Sequence, residues 1–227
     1  MTAPGLAAVL FDMDGTLVDS EQVWGVGLRE LAARYGGELS EPARLAIVGT
    51  SSMQTMQILL ADLGQSWRDP VEGAQWLDSR VLELFAEGLH WRPGAHDLLH
   101  QVRRHGLPSA LVSNTKRALV EVALQTLGAH NFDVLVCGDE VARTKPDPLP
   151  YLTAAANLGV DPRWCVAIED SPAGIASAHA AGCAVIAVPQ EVPAVPPFDG
   201  VALNSLLEAD LALLHEVVLT RAGRPPR

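Results

Sequence analysis

Short runs of consecutive apolar residues recur along this chain, and longer stretches with helical spacing lie between them. The runs cover residues 7–11, 109–112, 134–137, 165–168 and 184–188. Continuous apolar runs of this length are typical of strands that are buried on both faces of a parallel sheet. From the second run onward, segments 117–127, 149–158 and 173–181 have helical periodicity or are rich in alanine. This alternation predicts βαβ units and a doubly wound parallel α/β sheet.

The region between the first two runs breaks this alternation. Residues 20–90 contain no convincing strand and instead carry three apolar stripes with helical spacing. The stripes are Trp24, Leu28, Leu31 and Tyr35; Met53, Met56, Ile58 and Leu60; and Trp76, Leu77, Val81, Leu84 and Phe85. About seventy residues is too long for an ordinary crossover connection. We therefore predict an all-helical cap domain over 20–90, inserted as a lid into a core formed by 1–19 and 91–227.

Composition and charge narrow the functional classes. The 227 residues are 48% hydrophobic and 19% charged, which is ample for a large core. The formal net charge of −11 makes nucleic acids and anionic membranes poor partners. Neither a signal peptide nor a transmembrane run is apparent, so we expect a cytoplasmic protein. Residues 192–197 are predicted to form a proline-rich surface loop, and residues 221–227 a basic tail.

The three cysteines do not indicate a disulfide or zinc framework. Cys137, Cys165 and Cys183 each lie beside apolar residues, and no two of them form a CxxC pair. An odd set without metal-ligand spacing is typical of buried reduced thiols.

The first apolar run is followed directly by two carboxylates, Asp12 and Asp14, and by a glycine, Gly15. Side chains two residues apart on an extended chain point the same way, so both acids can face one reaction centre. Two carboxylates that are close repel each other, and a divalent cation or a shared proton relieves the repulsion. The segment therefore predicts a nucleophile, a proton carrier and a metal site, although an isolated D-x-D also occurs in ordinary turns.

Three later segments carry groups that such a site needs. Ser113 and Asn114 follow the second run, and their hydroxyl and backbone N–H groups can hold phosphoryl oxygens or can cap a helix. Lys145 lies between two helix-like segments and is followed by Pro146 and Pro148; it can neutralise phosphate charge there or remain a solvated lysine. Glu169 and Asp170 follow the fourth run and offer oxygen ligands for Mg²⁺, although Asp170 can also cap the next helix.

Taken in order, these motifs resemble the haloacid dehalogenase-like hydrolase superfamily, in the subgroup whose helical cap follows the first motif. The matching segments are DMDGTLVDS at 12–20, SNT at 113–115, TKPDP at 144–148 and EDSPAG at 169–174. The likeness extends over residues 7–188 and is similar to the β-phosphoglucomutase and phosphoglycolate phosphatase branch. It implies a Rossmann-like catalytic core with a helical cap.

The resemblance also implies roles for individual residues. Asp12 would be the nucleophile that becomes an aspartyl-phosphate, and Asp14 the general acid and base. Mg²⁺ would be held by Asp12, by the backbone carbonyl of Asp14 and by Asp170, with Glu169 close to the metal. The remaining assignments are phosphate binding by Ser113, Asn114 and Lys145, and support of the loop by Thr16 and Gly15.

The sequence of this chain departs from that of the mutases in the superfamily, and these departures decide which reaction we predict. Asp14 favours phosphoryl chemistry over dehalogenation. The histidine and arginine that the resembled mutases use in their cap fall at about Trp24 and at Ser51 or Ser52 here. We therefore predict a phosphatase and keep a phosphosugar mutase as the alternative. A receiver-like phosphorylation switch and a binding protein on an inactive fold are more distant readings, because the chain is long and the constellation complete.

The expected partner is a small phosphomonoester, such as a sugar, polyol or glycolate phosphate. The candidate cap residues that face it are Trp24, Ser51, Ser52, Met53 and Gln54. For Trp24 and Met53, burial inside the cap is an equally good reading. The basic residues of the cap are few, so the sequence offers no obvious clamp for a second phosphate; they are Arg29, Arg34, Arg44, Arg68 and Arg80. A monomer is favoured.

Overall fold

A computed structural model describes residues 5–188, 198 and 200–222 of the chain. The predicted proline-rich loop at 192–197 lies outside the described residues, as do residues 223–227 of the predicted basic tail. Within the described ranges, no helix combines the length and the apolarity that crossing a membrane requires.

The described strands form one six-stranded sheet in the order β3-β2-β1-β4-β5-β6, and all neighbouring pairs are parallel. The strands are β1 Ala8–Phe11, β2 Ser109–Val112, β3 Val134–Val136, β4 Cys165–Glu169, β5 Ala184–Ala187 and β6 Val201–Ala202. The first five correspond to the apolar runs. The strand order places β1 between β2 and β4, so the residues that follow these three strands share one edge of the sheet.

Both faces of the sheet are buried, as the continuous apolar runs predict. Along β1, Val9 and Phe11 pack into one hydrophobic cluster, while Ala8 and Leu10 pack into another on the opposite face. This alternation follows from the period of two along a strand. The fold is thus a doubly wound α/β structure, and the prediction of its class is confirmed.

Five helices of the described chain cover the sheet: α5 Ala95–Arg104, α6 Arg117–Leu127, α7 Leu149–Leu158, α8 Pro172–Ala180 and α9 Leu211–Ala222. Helices α7 and α8 pack on one face, and α5, α6 and α9 on the other. Short 3₁₀ turns lie at Ala129–Asn131, Pro162–Trp164 and Leu206–Glu208. The predicted segments for α6 and α7 match the observed bounds. Helices α5 and α9 and strand β6 were not predicted.

The region between β1 and β2 is helical before it reaches α5. It contains α1 Glu21–Arg34, α2 Glu41–Ile47, α3 Ser52–Asp62 and α4 Pro70–Ala86. Helices α2, α3 and α4 are each capped at the start by a side chain that accepts a hydrogen bond from a backbone N–H; the capping residues are Ser40, Ser51 and Asp69. The cap interior is made by residues of the predicted stripes; they include Leu28, Leu31, Met56, Leu60, Leu77, Val81 and Phe85.

Two short linkers join the cap to the core side by side. The Asp19 N–H donates to the His90 carbonyl at 2.8 Å, and the Arg92 N–H donates to the Leu17 carbonyl at 2.9 Å. These bonds hold the departing and returning chain together near residues 19 and 90. The predicted domain limits fall at this pair of linkers and stay predictions.

The cysteines are buried and unpaired. Cys137, Cys165 and Cys183 are free thiols in the core. Burial raises the pKa of Cys137 to about 12 and that of Cys165 to about 12, so both remain protonated.

Candidate active site

The first motif turns sharply after β1 and places two acids, Asp12 and Asp14, at the edge of the sheet. Asp12 follows the last residue of β1 and is buried. Gly15 has a φ of +75°, and a Cβ there would lie 2.1 Å from the Asp170 Oδ2 atom. Only glycine fits this turn, because a side chain would meet both a strained backbone and the neighbouring carboxylate. Thr16 is buried below the turn, and its hydroxyl has no hydrogen-bond partner among the described residues.

Lys145 holds the centre of the site. Its Nζ donates to Asp12 Oδ1 at 2.6 Å, to Glu169 Oε1 at 2.5 Å and to the Val112 carbonyl at 2.8 Å. These three acceptors use all three ammonium protons. Tyr151 on α7 donates its hydroxyl to the same Glu169 oxygen at 2.5 Å. The ammonium is thereby fixed against Asp12 by groups from β2, β4 and α7.

Burial and charge shift the pKa values of these groups. Burial raises the pKa of Asp12 to about 7; Lys145 opposes the shift, whereas Glu169 and Asp14 add to it. Burial, followed by the charges of Asp12 and Glu169, raises the pKa of Asp170 well above its ordinary range. Burial acts to lower the pKa of Lys145, but Asp12 and Glu169 outweigh it and the pKa is raised. The cluster therefore carries more negative charge than Lys145 alone can balance.

The donor set suits Mg²⁺. Oxygen atoms of Asp12, Glu169 and Asp170 lie within 4.8 Å of one another and all three side chains are buried. Lys145 donates to Asp12 and Glu169. Three buried carboxylates beside one ammonium form a site that a hard divalent cation would stabilise, since oxygen ligands are the kind that Mg²⁺ prefers. Glu169 is also bound by Tyr151, so Asp12 and Asp170 are the better placed ligands.

Asp14 stands apart from this cluster and accepts four side-chain hydrogen bonds. Its Oδ1 accepts from Ser20 Oγ at 2.7 Å and from Trp24 Nε1 at 3.2 Å. Its Oδ2 accepts from Ser113 Oγ at 3.2 Å and from Thr115 Oγ1 at 2.7 Å. The carboxylate is thus oriented by the core loop on one side and by the start of the cap on the other.

Asn114 links the core loops to the cap through its side chain. Its Oδ1 accepts the Lys145 N–H at 2.9 Å, and its Nδ2 donates to the carbonyls of Lys145 and Gly49. The side chain therefore fixes the lysine loop and contacts the cap. The resemblance implies phosphate binding by the backbone of Asn114, whereas these three hydrogen bonds involve only its side chain.

A cavity of about 360 Å³ opens above these groups, with the cap as its second wall. Core residues in its lining include Asp12, Asp14, Ser113, Asn114, Lys145 and Asp170. Cap residues in its lining include Gln22, Trp24, Arg29, Arg44, Ile47, Thr50 and Ser52. A volume of this size is at the lower end for small-molecule sites.

The predicted cap residues do not all face this cavity. Trp24 and Ser52 line it, whereas Ser51 and Gln54 line a separate cleft with Met53. The Ser51 Oγ accepts the Gln54 N–H, and the Gln54 Oε1 accepts the Ser51 N–H, so these two side chains form the capping box of α3. Their polarity is explained by helix capping, and Met53 is 39% exposed.

Sequence reasoning did not single out Thr115, Tyr151 or the two cavity arginines as site residues. Thr115 belongs to the SNT segment, so its motif was recognised but its bond to Asp14 was not. Tyr151 offered no local signal, because an aromatic residue on an alanine-rich helix is typical of core packing. Arg29 and Arg44 place positive charge in the cavity wall, although the sequence showed no obvious binding group for a second phosphate.

Comparison with known proteins gives consistent matches. The sequence profile of the haloacid dehalogenase-like hydrolases matches residues 9–188. Hexitol phosphatase A from Escherichia coli is 34% identical over 218 residues, which cover 93% of each chain. Fructose-1-phosphate phosphatase YqaB from the same organism is 33% identical, over 78% of this chain and 93% of its own. A crystal structure of CbbY from Rhodobacter sphaeroides with xylulose-(1,5)bisphosphate superposes with a TM-score of 0.81 at 28% identity, covering 92% of this chain and 99% of that one.

Proposed function

Because this chain belongs to the haloacid dehalogenase-like hydrolase family and is a phosphatase, we propose that it hydrolyses a small phosphomonoester through an aspartyl-phosphate on Asp12. One observation carries the proposal: the Asp12 carboxylate is buried against the Lys145 ammonium at the floor of the cavity, with Asp14 on the adjoining side. An acid in this position has a free oxygen for attack on phosphorus while its charge is partly balanced.

The first step forms the bond between Asp12 and phosphorus and breaks the bond from phosphorus to the leaving oxygen. The proton that the leaving oxygen requires comes from Asp14. Negative charge on the transferring group is offset by Lys145 and by hydrogen bonds from the loop at Ser113 and Asn114. Glu169 and Tyr151 keep the ammonium in place through the hydrogen bonds described above.

In the second step, Asp14 takes a proton from water, the water oxygen attacks phosphorus, and the bond to Asp12 breaks. Inorganic phosphate leaves, and Asp14 returns to its protonated form. A bound Mg²⁺, held by Asp12, Asp170 and the Asp14 backbone carbonyl, would stabilise the charge that develops on the phosphoryl oxygens. The cap closes the cavity over these groups, which limits the access of bulk water.

The substrate class follows from the cavity and from the relatives. The cavity volume of about 360 Å³ suits a small leaving group. Two relatives are named hexitol phosphatase and fructose-1-phosphate phosphatase. We therefore propose a sugar, polyol or glycolate phosphate. That the protein is cytoplasmic and monomeric stays a prediction from the sequence.

The test is phosphate release from p-nitrophenyl phosphate and a panel of phosphomonoesters, with and without Mg²⁺. We expect release to require Mg²⁺ and to fall by at least about 10³-fold in Asp12→Asn, because the nucleophile is lost. Asp97→Asn is the matched control, since Asp97 is an exposed residue of α5 outside the cavity lining.

Other outcomes would contradict the proposal in distinct ways. Full activity in Asp12→Asn would remove the covalent mechanism. Isomerisation of β-glucose 1-phosphate with a bisphosphate primer, without net phosphate release, would indicate a mutase. A stable phosphorylated Asp12 that does not turn over would indicate a phosphorylation switch.

A further inference from the structure

Trp24 lies in α1 of the inserted region, and its side chain donates a hydrogen bond to the Asp14 carboxylate. Its Nε1 lies 3.2 Å from Asp14 Oδ1, and the same oxygen accepts from Ser20 in the linker. The two partners of Oδ2, Ser113 and Thr115, belong instead to the loop behind β2. The two carboxylate oxygens thus face different parts of the molecule.

The chemistry of the four donors separates Trp24 from the other three. A serine or threonine hydroxyl both donates and accepts, so it can rotate toward other partners. An indole N–H can only donate. Trp24 therefore engages Oδ1 only as a donor, and the direction of this hydrogen bond is set by the ring rather than by a rotating hydroxyl.

The position of the indole ring is fixed by the cap. Its ring packs edge-on against Phe85 of α4, with centroids 6.3 Å apart and an interplanar angle of 82°. The ring is half-buried and lines the cavity. An aromatic edge-to-face contact of this kind restricts the ring, so the N–H direction is set before substrate arrives.

We propose that Trp24 is a positioning residue for proton transfer by Asp14, a proposal that rests on the phosphatase function above. By holding Oδ1, the indole fixes the direction of the Asp14 carboxyl group that gives its proton to the leaving oxygen. In that step the bond from Asp12 to phosphorus forms, the bond from phosphorus to the leaving oxygen breaks, and the proton of Asp14 moves to the leaving oxygen. Trp24 itself exchanges no atom or electron.

The effect of losing the Trp24 hydrogen bond should depend on the leaving group. An alkoxide from a sugar or polyol phosphate needs a proton as it leaves, whereas p-nitrophenolate is stable without one. Misplacing the acid should therefore slow phosphoryl transfer from alkyl phosphates and spare p-nitrophenyl phosphate. Because kcat/KM reports on steps up to leaving-group departure, it separates this effect from hydrolysis of the phosphoenzyme.

The experiment measures kcat/KM of Trp24→Phe on p-nitrophenyl phosphate and on the best alkyl phosphate of the panel. Phenylalanine keeps the aromatic packing but has no N–H. We expect the alkyl phosphate value to fall by about 30- to 100-fold, within the range for general acid catalysis, and the aryl value by less than about 3-fold. Trp76→Phe is the matched control, because Trp76 is also half-buried in the cap but lies outside the cavity lining; both of its values should stay near wild type.

Trp24→His is measured beside it, since histidine restores a ring N–H. Its ratio of alkyl to aryl kcat/KM should lie closer to wild type than the ratio of Trp24→Phe. Equal losses on both substrates in Trp24→Phe, or no loss on either, would overturn the proposal, as would identical ratios for the two variants. Failure of the phosphatase function is distinguishable, because it would already appear as Asp12-independent activity or as none in the wild-type protein.

Discussion

At the scale of single residues, the site is organised by its cations. Lys145 contacts Asp12, which follows β1, and Glu169, which ends β4, and its exposed fraction is only 2%. A buried ammonium that serves two carboxylates compensates charges that would otherwise oppose folding. The same residue is thus needed for catalysis and for stability.

Lys145→Met tests both roles. The substitution leaves Asp12 and Glu169 buried without their cation, which should lower the free energy of unfolding by about 3–5 kcal/mol. We also expect kcat to fall by at least about 100-fold, since the charge on the transferring phosphoryl group is no longer offset. Urea unfolding and phosphate release measure the two effects. Arg163→Met is the control: its ion pair with Asp161 is 75% exposed on the arginine side, and its loss should change the free energy of unfolding little.

Arg29 is the second cation whose role can be tested. Its Nη1 lies 3.3 Å from the position that a Cβ on Gly25 would take, so the guanidinium folds back along α1 into the cavity wall. A guanidinium recognises carboxylate and phosphate oxygens well, because its N–H groups match their geometry. Such a residue can bind an anionic group at the far end of the leaving group.

Arg29→Ala should therefore change substrate preference. We expect kcat/KM to fall about 10-fold for leaving groups that carry a second anionic group, such as phosphoglycolate or a sugar bisphosphate. For a neutral polyol phosphate the change should stay within about 2-fold. Arg34→Ala is the control, because Arg34 lies on the same helix over the Trp76 ring and outside the cavity lining. A uniform loss across the panel would contradict a role for Arg29 in selectivity.

At the scale of elements, parallel strands explain why distant residues meet. Strands β1, β2 and β4 are neighbours in the sheet, and each is followed directly by site residues. The carboxyl ends of parallel strands lie on one edge, so Asp12, Ser113 and Asp170 converge without any local contact along the chain. Helix α7 then adds Tyr151 behind Glu169.

Helix α4 connects the cap to the core through one acidic residue. Asp78 accepts from Lys116 in the core at 2.5 Å and from Ser52 at the start of α3 at 2.6 Å. Its side chain is 15% exposed, so solvent screens this ion pair less than the pairs on the surface. The contact lies between cap and core and favours the closed arrangement.

Asp78→Asn should weaken cap closure more than it weakens folding. We expect KM to rise about 3- to 10-fold, with a loss of about 1 kcal/mol or less in the free energy of unfolding. Arg80→Gln is the matched control on the same helix, because Arg80 pairs with Glu30 and Glu83 within the cap. A KM that rises equally in both variants would show that the ion pair to the core has no special role. Steady-state kinetics and urea unfolding provide the readouts.

At the scale of the whole molecule, negative charge is in excess, and part of it is buried. The chain carries a net charge of −11, and the three buried carboxylates of the Asp12 cluster lie beneath the cavity. Because burial raises the pKa of Asp12 from 3.8 to about 7, the metal-free folded protein holds a proton there that the unfolded chain has lost. The contribution of Asp12 to stability therefore falls as pH rises from about 4 to about 7.

Mg²⁺ should reverse this loss. Bound metal replaces the proton, so the rise in Tm on adding Mg²⁺ should be larger at pH 8 than at pH 5, where protons compete for the carboxylates. Asp170→Asn removes one ligand and should abolish most of the rise at pH 8. Thermal unfolding with Mg²⁺ or with chelator measures the difference. An equal rise at both pH values, or a full rise in the variant, would contradict metal binding at this cluster.

Much of the fold could be predicted because its signals are local. The apolar runs of β1, β2, β4 and β5 and the periodicity of α6 and α7 arise from residues close in sequence. Strand β6 was missed, because two residues are too short to show a period. Helix α5 buries Leu98, Leu99 and Val102, a stripe that was overlooked.

The sequence by itself determined the fold class, the family likeness and the chemical identity of the acids, lysine and hydroxyls, because spacing and residue type are local properties. Only the tertiary structure decided how these side chains pair. Lys145 meets Asp12 across 133 positions of the chain, and Thr115 meets Asp14 across 101. It also assigned Ser51 and Gln54 to a helix cap and Trp24 to Asp14. Such contacts depend on strand order and on side-chain direction, which no periodicity along the chain encodes.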